Sequence, residues 1–510
     1  MIRIVILFLI LGIVGCHAPS TKDTPNIILF LVDDLGWQDT SVPFWEEKTS
    51  QNQLYHTPNM ERLAMSGMKF TQAYATPVCS PSRISLMTGM NAARHKVTNW
   101  TLFKDTMQPM EVNHPSLQFP LWNVNGMSPA ATDSLAVHAT SLAQMLANAG
   151  YYTIHVGKAH WGAIGTLGED PLHLGFDINI AGHAAGAPGS YWGEDNFGAR
   201  QNKFDENKVW AVPGLDPYFG KNINLTEALT QEALLAMDKA MESEQPFFLN
   251  MAHYTVHTPI MADERFYQKY LIKGMDSIEA KYASMIEGMD KSLGDILNYI
   301  ETKAISENTI VLFMSDNGGL SAVARGGRKH EHNKPLASGK GALYEGGIRV
   351  PMMVKWPGKV EKGAVSDHQV IIEDFFPTIL QMAGVQRLEA VQEIDGKSFV
   401  SVLKGEQTSV MERSLVWHYP NEWGPKGPGI GAGSVIRRGD WKLIYFHEEQ
   451  DMELYHLKND IGESTNVIEE YPEKAMQLAE ALTLYLKEVH AQMPFFKNTG
   501  KPVVYPNALF

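Results

Sequence analysis

The amino-acid sequence predicts an α/β protein with a large, mostly parallel central sheet flanked by helices, plus a smaller C-terminal antiparallel sheet with one helix. Two observations predict it. Three short, β-rich apolar runs each end in polar residues and are separated by helical patterns, as expected of strands buried on both faces of a parallel sheet. From about residue 408 the pattern changes to a hairpin, a further short strand and an amphipathic helix.

The first apolar run is Asn26 to Val32, ending in Asp33-Asp34. The second is Tyr151 to Val156, ending in Gly157-Lys158, and the third is Thr309 to Met314, ending in Ser315-Asp316-Asn317. A long helical pattern, Ser277 to Ile300, precedes the third. Ligands of open α/β sheets bind beyond the carboxyl ends of the strands, so these runs deliver two Asp, a Lys and an Asp-Asn pair to one rim. In the C-terminal part, Ser434 to Phe446 reads as a hairpin with a Gly439-Asp440 turn. Glu453 to Leu457 reads as another strand, and a helix follows with Met476, Ala479, Leu482, Leu486 and Val489 on one face. The Gly/Pro-rich stretch Gly424 to Gly433 is a loop. The resulting division is a leader (1–16), a tether (17–24), a main α/β domain (25–408) and a C-terminal α+β subdomain (409–510).

Length and composition bound the rest. A chain of 510 residues, 44% apolar and 20% charged, suits a soluble protein of two or three domains. The net charge of −14 argues against a nucleic-acid partner, which calls for a basic face. Arg3 followed by the apolar run Ile4 to Val14 reads as an export signal, too short to span a bilayer as a mature helix. Its end, Ile13-Val14-Gly15-Cys16, resembles the bacterial lipoprotein signal. That implies lipidation of Cys16 and a membrane-anchored protein of the periplasm or cell surface. The polar residues after Cys16 have nothing to bury and read as a flexible tether. The two cysteines are Cys16 and Cys79. With Cys16 lipidated, Cys79 has no disulfide partner, and an unpaired cysteine in an exported protein demands an explanation.

The explanation lies in Cys79-Ser80-Pro81-Ser82-Arg83, followed by Leu86, Thr88 and Gly89. Pro81 suits the first turn of a helix, and no breaker follows before Gly89. Residue 79 then sits at a helix N-terminus, which favours an anion, with Arg83 one turn further in. The oxygen donors of Asp33, Asp34, Asp316 and Asn317 suit calcium or magnesium rather than zinc.

The Cys-X-Pro-X-Arg segment resembles the signature of the formylglycine-dependent sulfatases, of alkaline-phosphatase-like fold. The resemblance runs from Asn26 to about Val467. Thr98-Asn99-Trp100 and Asn179-Ile180-Ala181-Gly182-His183 are similar to bacterial sulfatases acting on sulfated glycans. It implies that a formylglycine-generating or radical maturase oxidises Cys79 to formylglycine, and that Asp33, Asp34, Asp316 and Asn317 hold one calcium ion together with the residue 79 oxygen. Gly150 to His160 resembles the second family signature, with Ala159 where many relatives carry an aromatic residue. Gly339 to Pro351 is a further match. These place Arg83, Lys158 and Lys340 on the sulfate, His160 beside residue 79, and His257, within Ala252 to Pro259, as the acid for the departing oxygen. The implied reaction is attack by the hydrated aldehyde on sulfur, then expulsion of sulfate with the aldehyde restored. The substrate it implies is a sulfated carbohydrate, with a lean toward a galactose-type sugar. Candidate substrate contacts are His183, His253, Arg325, Arg328, Lys329, His330, His332, Trp417, Tyr419 and Trp423. Two other readings compete. A phosphatase or phosphodiesterase of the same superfamily usually has a Ser or Thr nucleophile and two zinc ions, whereas here Asp316 is followed by Asn317 rather than His. A non-catalytic lipoprotein that holds sulfated glycans requires an unmodified Cys79.

Overall fold

The computed structural model describes residues 24–199, 208–323, 325–406 and 413–510. The leader with Cys16, residues 17–23 of the expected tether and the boundary placed at 408 lie outside the described residues. Among the described residues, no helix is long and apolar enough to cross a membrane.

Nine strands form the large sheet: β1 (Asn26–Val32), β2 (Met68–Tyr74), β3 (Tyr152–Gly157), β4 (Ile178–Ile180), β5 (Phe247–Ala252), β6 (Thr309–Ser315), β7 (Arg349–Lys355), β8 (Ala364–Ser366) and β9 (Val370–Ile371). Their spatial order is β8-β2-β7-β6-β1-β5-β3-β4, with β9 also paired to β2. Every pairing is parallel except the two made by β7. The helices include α1 (Cys79–Thr88), α2 (Leu225–Glu242), α3 (Ser277–Thr302) and α4 (Pro472–Glu488).

The central strand β1 shows why the apolar runs are continuous. Ile27, Leu29 and Leu31 enter one core with Ile84 and Leu86 of α1 and with Phe375 and Phe376. Ile28, Phe30 and Val32 enter the opposite core with Leu225 and Leu229 of α2 and Ile286 and Leu293 of α3. Each such side chain contributes roughly 1.5–3 kcal/mol by leaving water. Helix α3 begins where Asp276 caps it, accepting hydrogen bonds from the Ile278 and Glu279 N–H groups.

The second sheet is antiparallel, with β10 (Ser414–Tyr419), β11 (Gly433–Arg438), β12 (Trp441–Phe446) and β13 (Asp451–His456) in chain order. One face packs Ile436, Leu443 and Leu454 on Leu478, Leu482 and Leu486 of α4. The expected stripe on that helix needs one correction: Met476 is 42% exposed. The buried stripe is Ala475, Leu478, Ala479, Leu482 and Leu486, because these recur at three- and four-residue spacing on one helix face, and Met476, about 200° around the helix from Leu478, falls outside it. The other face of this sheet sets Leu415, Trp417, Val435 and Ile444 against Tyr74, Val78, Leu343 and Ile348 of the large unit.

Strand direction decides which loops gather at one end of the large sheet. β1, β3, β5 and β6 run the same way and end at one rim. β7 runs opposite, so the loop entering it lies at that rim, and β2, antiparallel to β7, ends there.

Candidate active site

Asp33 and Asp34 leave β1, Lys158 leaves β3, His257 follows β5, and Asp316 and Asn317 leave β6. Lys340 lies in the loop entering β7, and Cys79 opens α1 just after β2. Backbone hydrogen bonds lock these segments together. Asp33 N–H donates to Thr255 O at 3.0 Å, Val256 N–H to Asp33 O at 2.7 Å, Asp316 N–H to Val32 O at 3.1 Å, and Lys158 N–H to Ala252 O at 2.7 Å. The turn before Lys158 requires glycine: Gly157 has φ +101°, and a Cβ there would meet Ala252 O at 1.9 Å. Helix α1 runs from Cys79 to Thr88 with every residue buried. Gly89, at φ +70°, closes it by donating its N–H to Ser85 O at 2.8 Å.

Asp33, Asp34 and Asp316 bring carboxylate oxygens within 4.8 Å of one another. Each pairs with one cation: Lys158 Nζ to Asp33 Oδ2 at 2.7 Å, Lys340 Nζ to Asp34 Oδ1 at 2.6 Å, and Arg83 Nε to Asp316 Oδ2 at 2.8 Å. Asn317 Nδ2 donates to Asp34 Oδ1 at 2.8 Å. Asp33 Oδ1 and Asn317 Oδ1 are buried without a hydrogen-bond partner. Orphaned buried oxygens are costly. Two of them beside three clustered carboxylates make an all-oxygen donor set that fits a hard divalent cation.

The titrating groups respond to this crowding. Burial pushes the Asp33 carboxyl well above its ordinary range, with Lys158 opposing. Burial would raise Asp34 too, but Lys340, His257 and Lys158 outweigh it and hold that carboxyl below the usual range. Burial raises the Cys79 thiol, against the pull of Lys158 and Lys340. His160 Nε2 donates to Thr101 O at 2.9 Å. Burial, Lys158 and Arg83 keep that imidazole neutral, well below its usual range, and its Nδ1 has no partner. His257 Nδ1 donates to Thr258 O at 2.8 Å, so Nε2 faces the site, 3.8 Å from Asp34 Oδ2. Burial and Lys340 push His257 down to about 3, with Asp34 opposing.

Above these groups opens a cavity of about 220 Å³ whose floor is Cys79, Asp34, Lys340, His160 and His257. Arg83 and Lys158 lie beneath that floor, 1% and 0% exposed. The sulfatase family model matches residues 25–385, a span holding every one of these side chains. The chain belongs to the sulfatase family. It is a sulfuric ester hydrolase on an alkaline-phosphatase-like fold. A second model, the C-terminal part of N-sulphoglucosamine sulphohydrolase, matches residues 338–492. A Formosa agariphila sulfatase is 30% identical, covering 99% of this chain and 97% of its own. The dog N-acetylgalactosamine-6-sulfatase is 32% identical over 97% of this chain and 83% of its own. Among solved structures, Ps i-CgsB in complex with k-i-k-neocarrahexaose superposes with a TM-score of 0.71 at 26% identity, covering 91% of this chain and 93% of that one.

The other residues that the sequence singles out in this sulfatase scatter. Trp423 lines the cavity, as does Trp100 of the Thr98-Asn99-Trp100 segment. His183 stands behind the site: its carbonyl accepts the His160 N–H at 3.1 Å, and its Nδ1 lies 3.1 Å from the Tyr254 hydroxyl. His253 is a core residue, with Nε2 2.9 Å from Ser292 Oγ and the ring against Phe30. Trp417 and Tyr419 are buried as well, donating to Ala75 O at 2.8 Å and Asn99 Oδ1 at 3.1 Å. Arg325 is neutralised by Asp39 and Glu279 at 3.1 and 2.7 Å and stacks on Tyr282. His332 bonds Ser321 Oγ at 3.2 Å, His330 packs beside Gly427, and Arg328 and Lys329 are exposed away from the cavity lining. The sequence reading missed Trp210, Thr258, Leu320 and Val323, which line the cavity. Leu320 and Val323 come after the acidic end of β6, so the strand-end rule could have pointed to them; Trp210 carried no such signal.

Proposed function

We propose that this sulfatase hydrolyses sulfate esters of a sulfated carbohydrate, with a galactose-type sugar as the preferred class, using Cys79 converted to formylglycine and one calcium ion. The observation that carries the reading is the convergence of Cys79, Arg83, Lys158, Lys340 and His257 on the carboxylate cluster beneath one cavity. The carbohydrate class is supported by relatives named N-acetylgalactosamine-6-sulfatase and by the likeness to a protein solved with a neocarrahexaose. Asp33, Asp34, Asp316 and Asn317 would hold the calcium, which lowers the pKa of an oxygen nucleophile and draws charge from the sulfate. Formylglycine at position 79 would supply a hydrated aldehyde, and with it an oxygen nucleophile that a thiol or a plain alcohol does not offer.

The chain's own residues do the rest. Arg83, Lys158 and Lys340 are fixed by their carboxylate partners before substrate arrives, so they stabilise developing charge on the sulfate oxygens without reorganising. His160, neutral and with Nε2–H held by Thr101 O, keeps Nδ1 free to accept a proton. His257 is held by Thr258 O with Nε2 toward the site. With Nε2 toward the site, His257 is placed to hand a proton to the departing oxygen, and the negative charge of a bound sulfate ester favours its protonated form against the pull of Lys340 and of the calcium. As an exported lipoprotein, with the lipid at Cys16, the enzyme would meet such substrates at the membrane surface.

Releasing sulfate from a panel of defined sulfated sugars tests the substrate class: turnover is expected on galactose and N-acetylgalactosamine sulfates, and its absence there refutes the assignment. His257→Ala is expected to slow sugar sulfates by about 100-fold or more while sparing 4-nitrophenyl sulfate, whose leaving group needs little protonation. Equal losses on both would remove the acid role. Chelation is expected to lower turnover by about 100-fold or more and to lower the melting temperature, with both recovered by calcium. Full activity in a metal-free preparation, verified by elemental analysis, would show that the carboxylate cluster works unaided.

A further inference from the structure

Among the eleven tryptophans, Trp37, Trp122, Trp161 and Trp417 are buried in cores. Trp100, Trp210 and Trp423 are half-buried, and all three line the cavity above Cys79. They come from distant parts of the chain and are held by built contacts. Buried Asn99 ties two of them together: its Oδ1 accepts from Trp100 N–H at 3.0 Å, and its Nδ2 donates to the carbonyl of Glu422, the neighbour of Trp423, at 3.2 Å. The same amide accepts from the Tyr419 hydroxyl and donates to Glu111 Oε1 at 3.0 Å. Trp423 in turn lies against the Lys340 loop, where Gly341, at φ +83°, leaves it room: a Cβ there would meet the indole at 2.1 Å. The Trp210 carbonyl accepts the Gly189 N–H at 2.6 Å.

Charge is divided as sharply as shape. Among the described residues, Asp34, Lys340, His160 and His257 are the charged or titratable side chains other than Cys79 that line the cavity, and all belong to the floor. The walls are the three indoles with Val78, Gly186, Ala187, Leu320 and Val323, and Thr258 is the one uncharged polar side chain among them. Arg325, two residues after Val323 in the chain, is spent on Asp39 and Glu279. Among the described residues, a sulfate on the floor therefore takes up the cations of the cavity, and a second anionic group on the same sugar ring would be buried against largely apolar walls, at a cost of several kcal/mol. The volume of about 220 Å³ is below the roughly 300–1,000 Å³ of pockets for drug-sized ligands and suits a single ring.

We propose that Trp100, Trp210 and Trp423 form an aromatic collar that receives one uncharged hexose or N-acetylhexosamine ring bearing the sulfate, and that the collar excludes sulfated uronic acids. This inference rests on the proposed carbohydrate substrate and adds the residues that choose among sugars.

Steady-state kinetics of the mature enzyme on a neutral hexose sulfate, a sulfated uronic acid and 4-nitrophenyl sulfate test it. Wild type is expected to favour the neutral sugar over the uronate by about tenfold or more in kcat/KM. Trp100→Ala and Trp423→Ala are expected to lose about tenfold each on the neutral sugar, mainly through KM, with Trp→Phe recovering most of the loss. Should the alanine variants fail to fold, the Cys79→Ala protein keeps the question open to test. Its tryptophan emission is expected to change on titration with the neutral sugar sulfate and not with inorganic sulfate. A uronate turned over within tenfold of the neutral sugar, unchanged kinetics in the folded alanine variants, or emission indifferent to the sugar would each overturn the collar. Turnover of 4-nitrophenyl sulfate with no release from any sugar would overturn the carbohydrate reading itself, and the collar with it.

Discussion

Cys79→Ala protein is expected to fold normally and to release sulfate at least about ten-thousand-fold more slowly than wild type, on sugar and aryl sulfates alike. Cys79 lies on the cavity floor beside Lys340, and the N-terminus of its helix faces the same space, so a nucleophile carried there meets an anion already favoured by its surroundings. An unmodified thiol does not serve. Burial raises its pKa even with Lys158 and Lys340 pulling the other way, so at neutral pH it is protonated and a poor nucleophile. The proposed oxidation removes that handicap and gives the second step an exit, since loss of a hydroxyl proton can expel sulfate and restore the aldehyde. Cys79→Ser is therefore expected to be as inactive as Cys79→Ala, although serine keeps an oxygen. Mass spectrometry of the tryptic peptide Phe70–Arg83 checks the premise: active protein should carry the lighter aldehyde in place of the thiol. A fully active preparation with an intact thiol would end the formylglycine mechanism. An intact thiol in inactive protein would point to the non-catalytic, glycan-holding reading.

The range of the forces involved separates the features legible in the sequence from those that were not. Strands β1, β3 and β6 were legible because both faces are buried, which forces continuous apolar runs whose polar ends mark the rim. The strand order was not legible, because the pairing of β7 between β2 and β6 is settled by long-range packing. Yet that antiparallel strand is what brings the Lys340 loop to the rim. The floor residues sit in local motifs, so each appeared at its place. The walls do not. His253 resembles a site residue by type and neighbourhood, but it projects to the α3 side of the sheet and bonds Ser292. Arg325 resembles a free cation until Asp39 and Glu279, far away in the chain, are seen to neutralise it. Trp417 and Tyr419 alternate along β10 and bury on one face with Leu415, whereas Trp423, just beyond the strand, turns to the cavity. A tryptophan such as Trp210, outside any periodic segment, has no pattern to betray its role.

Lys442→Met is expected to destabilise the protein by about 3–5 kcal/mol, the cost of leaving buried charge without its partner, and to reduce activity although Lys442 lies outside the cavity. Lys442 is fully buried on β12 in the second sheet and pairs with Glu345 Oε1 at 3.1 Å and Glu463 Oε1 at 2.7 Å. Glu345 also accepts from the Tyr74 hydroxyl at 2.8 Å and pairs with Arg349 at 3.3 Å. Its backbone N–H donates to Glu463 Oε2 at 2.6 Å. The cluster thus pins the loop that carries Lys340, together with the end of β2 that leads to Cys79, to the second sheet. Methionine matches the lysine stem but leaves the buried Glu463 carboxylate without its cation beside Glu345, which keeps Arg349, and the least costly relief is movement of the Glu345 segment. Urea unfolding should show the loss as a lower midpoint. Activity should fall through kcat more than KM, because Lys340 is displaced from the position where charge develops. Adding Glu463→Gln is expected to return part of the stability, since it removes the stranded charge. Arg328→Ala supplies the contrast, because its pairing with Glu331 at 3.5 Å is solvent-exposed and its removal should leave the midpoint unchanged. A Lys442→Met protein with wild-type midpoint and kcat would show that the second sheet is merely attached to the active-site loop and does not hold it in place.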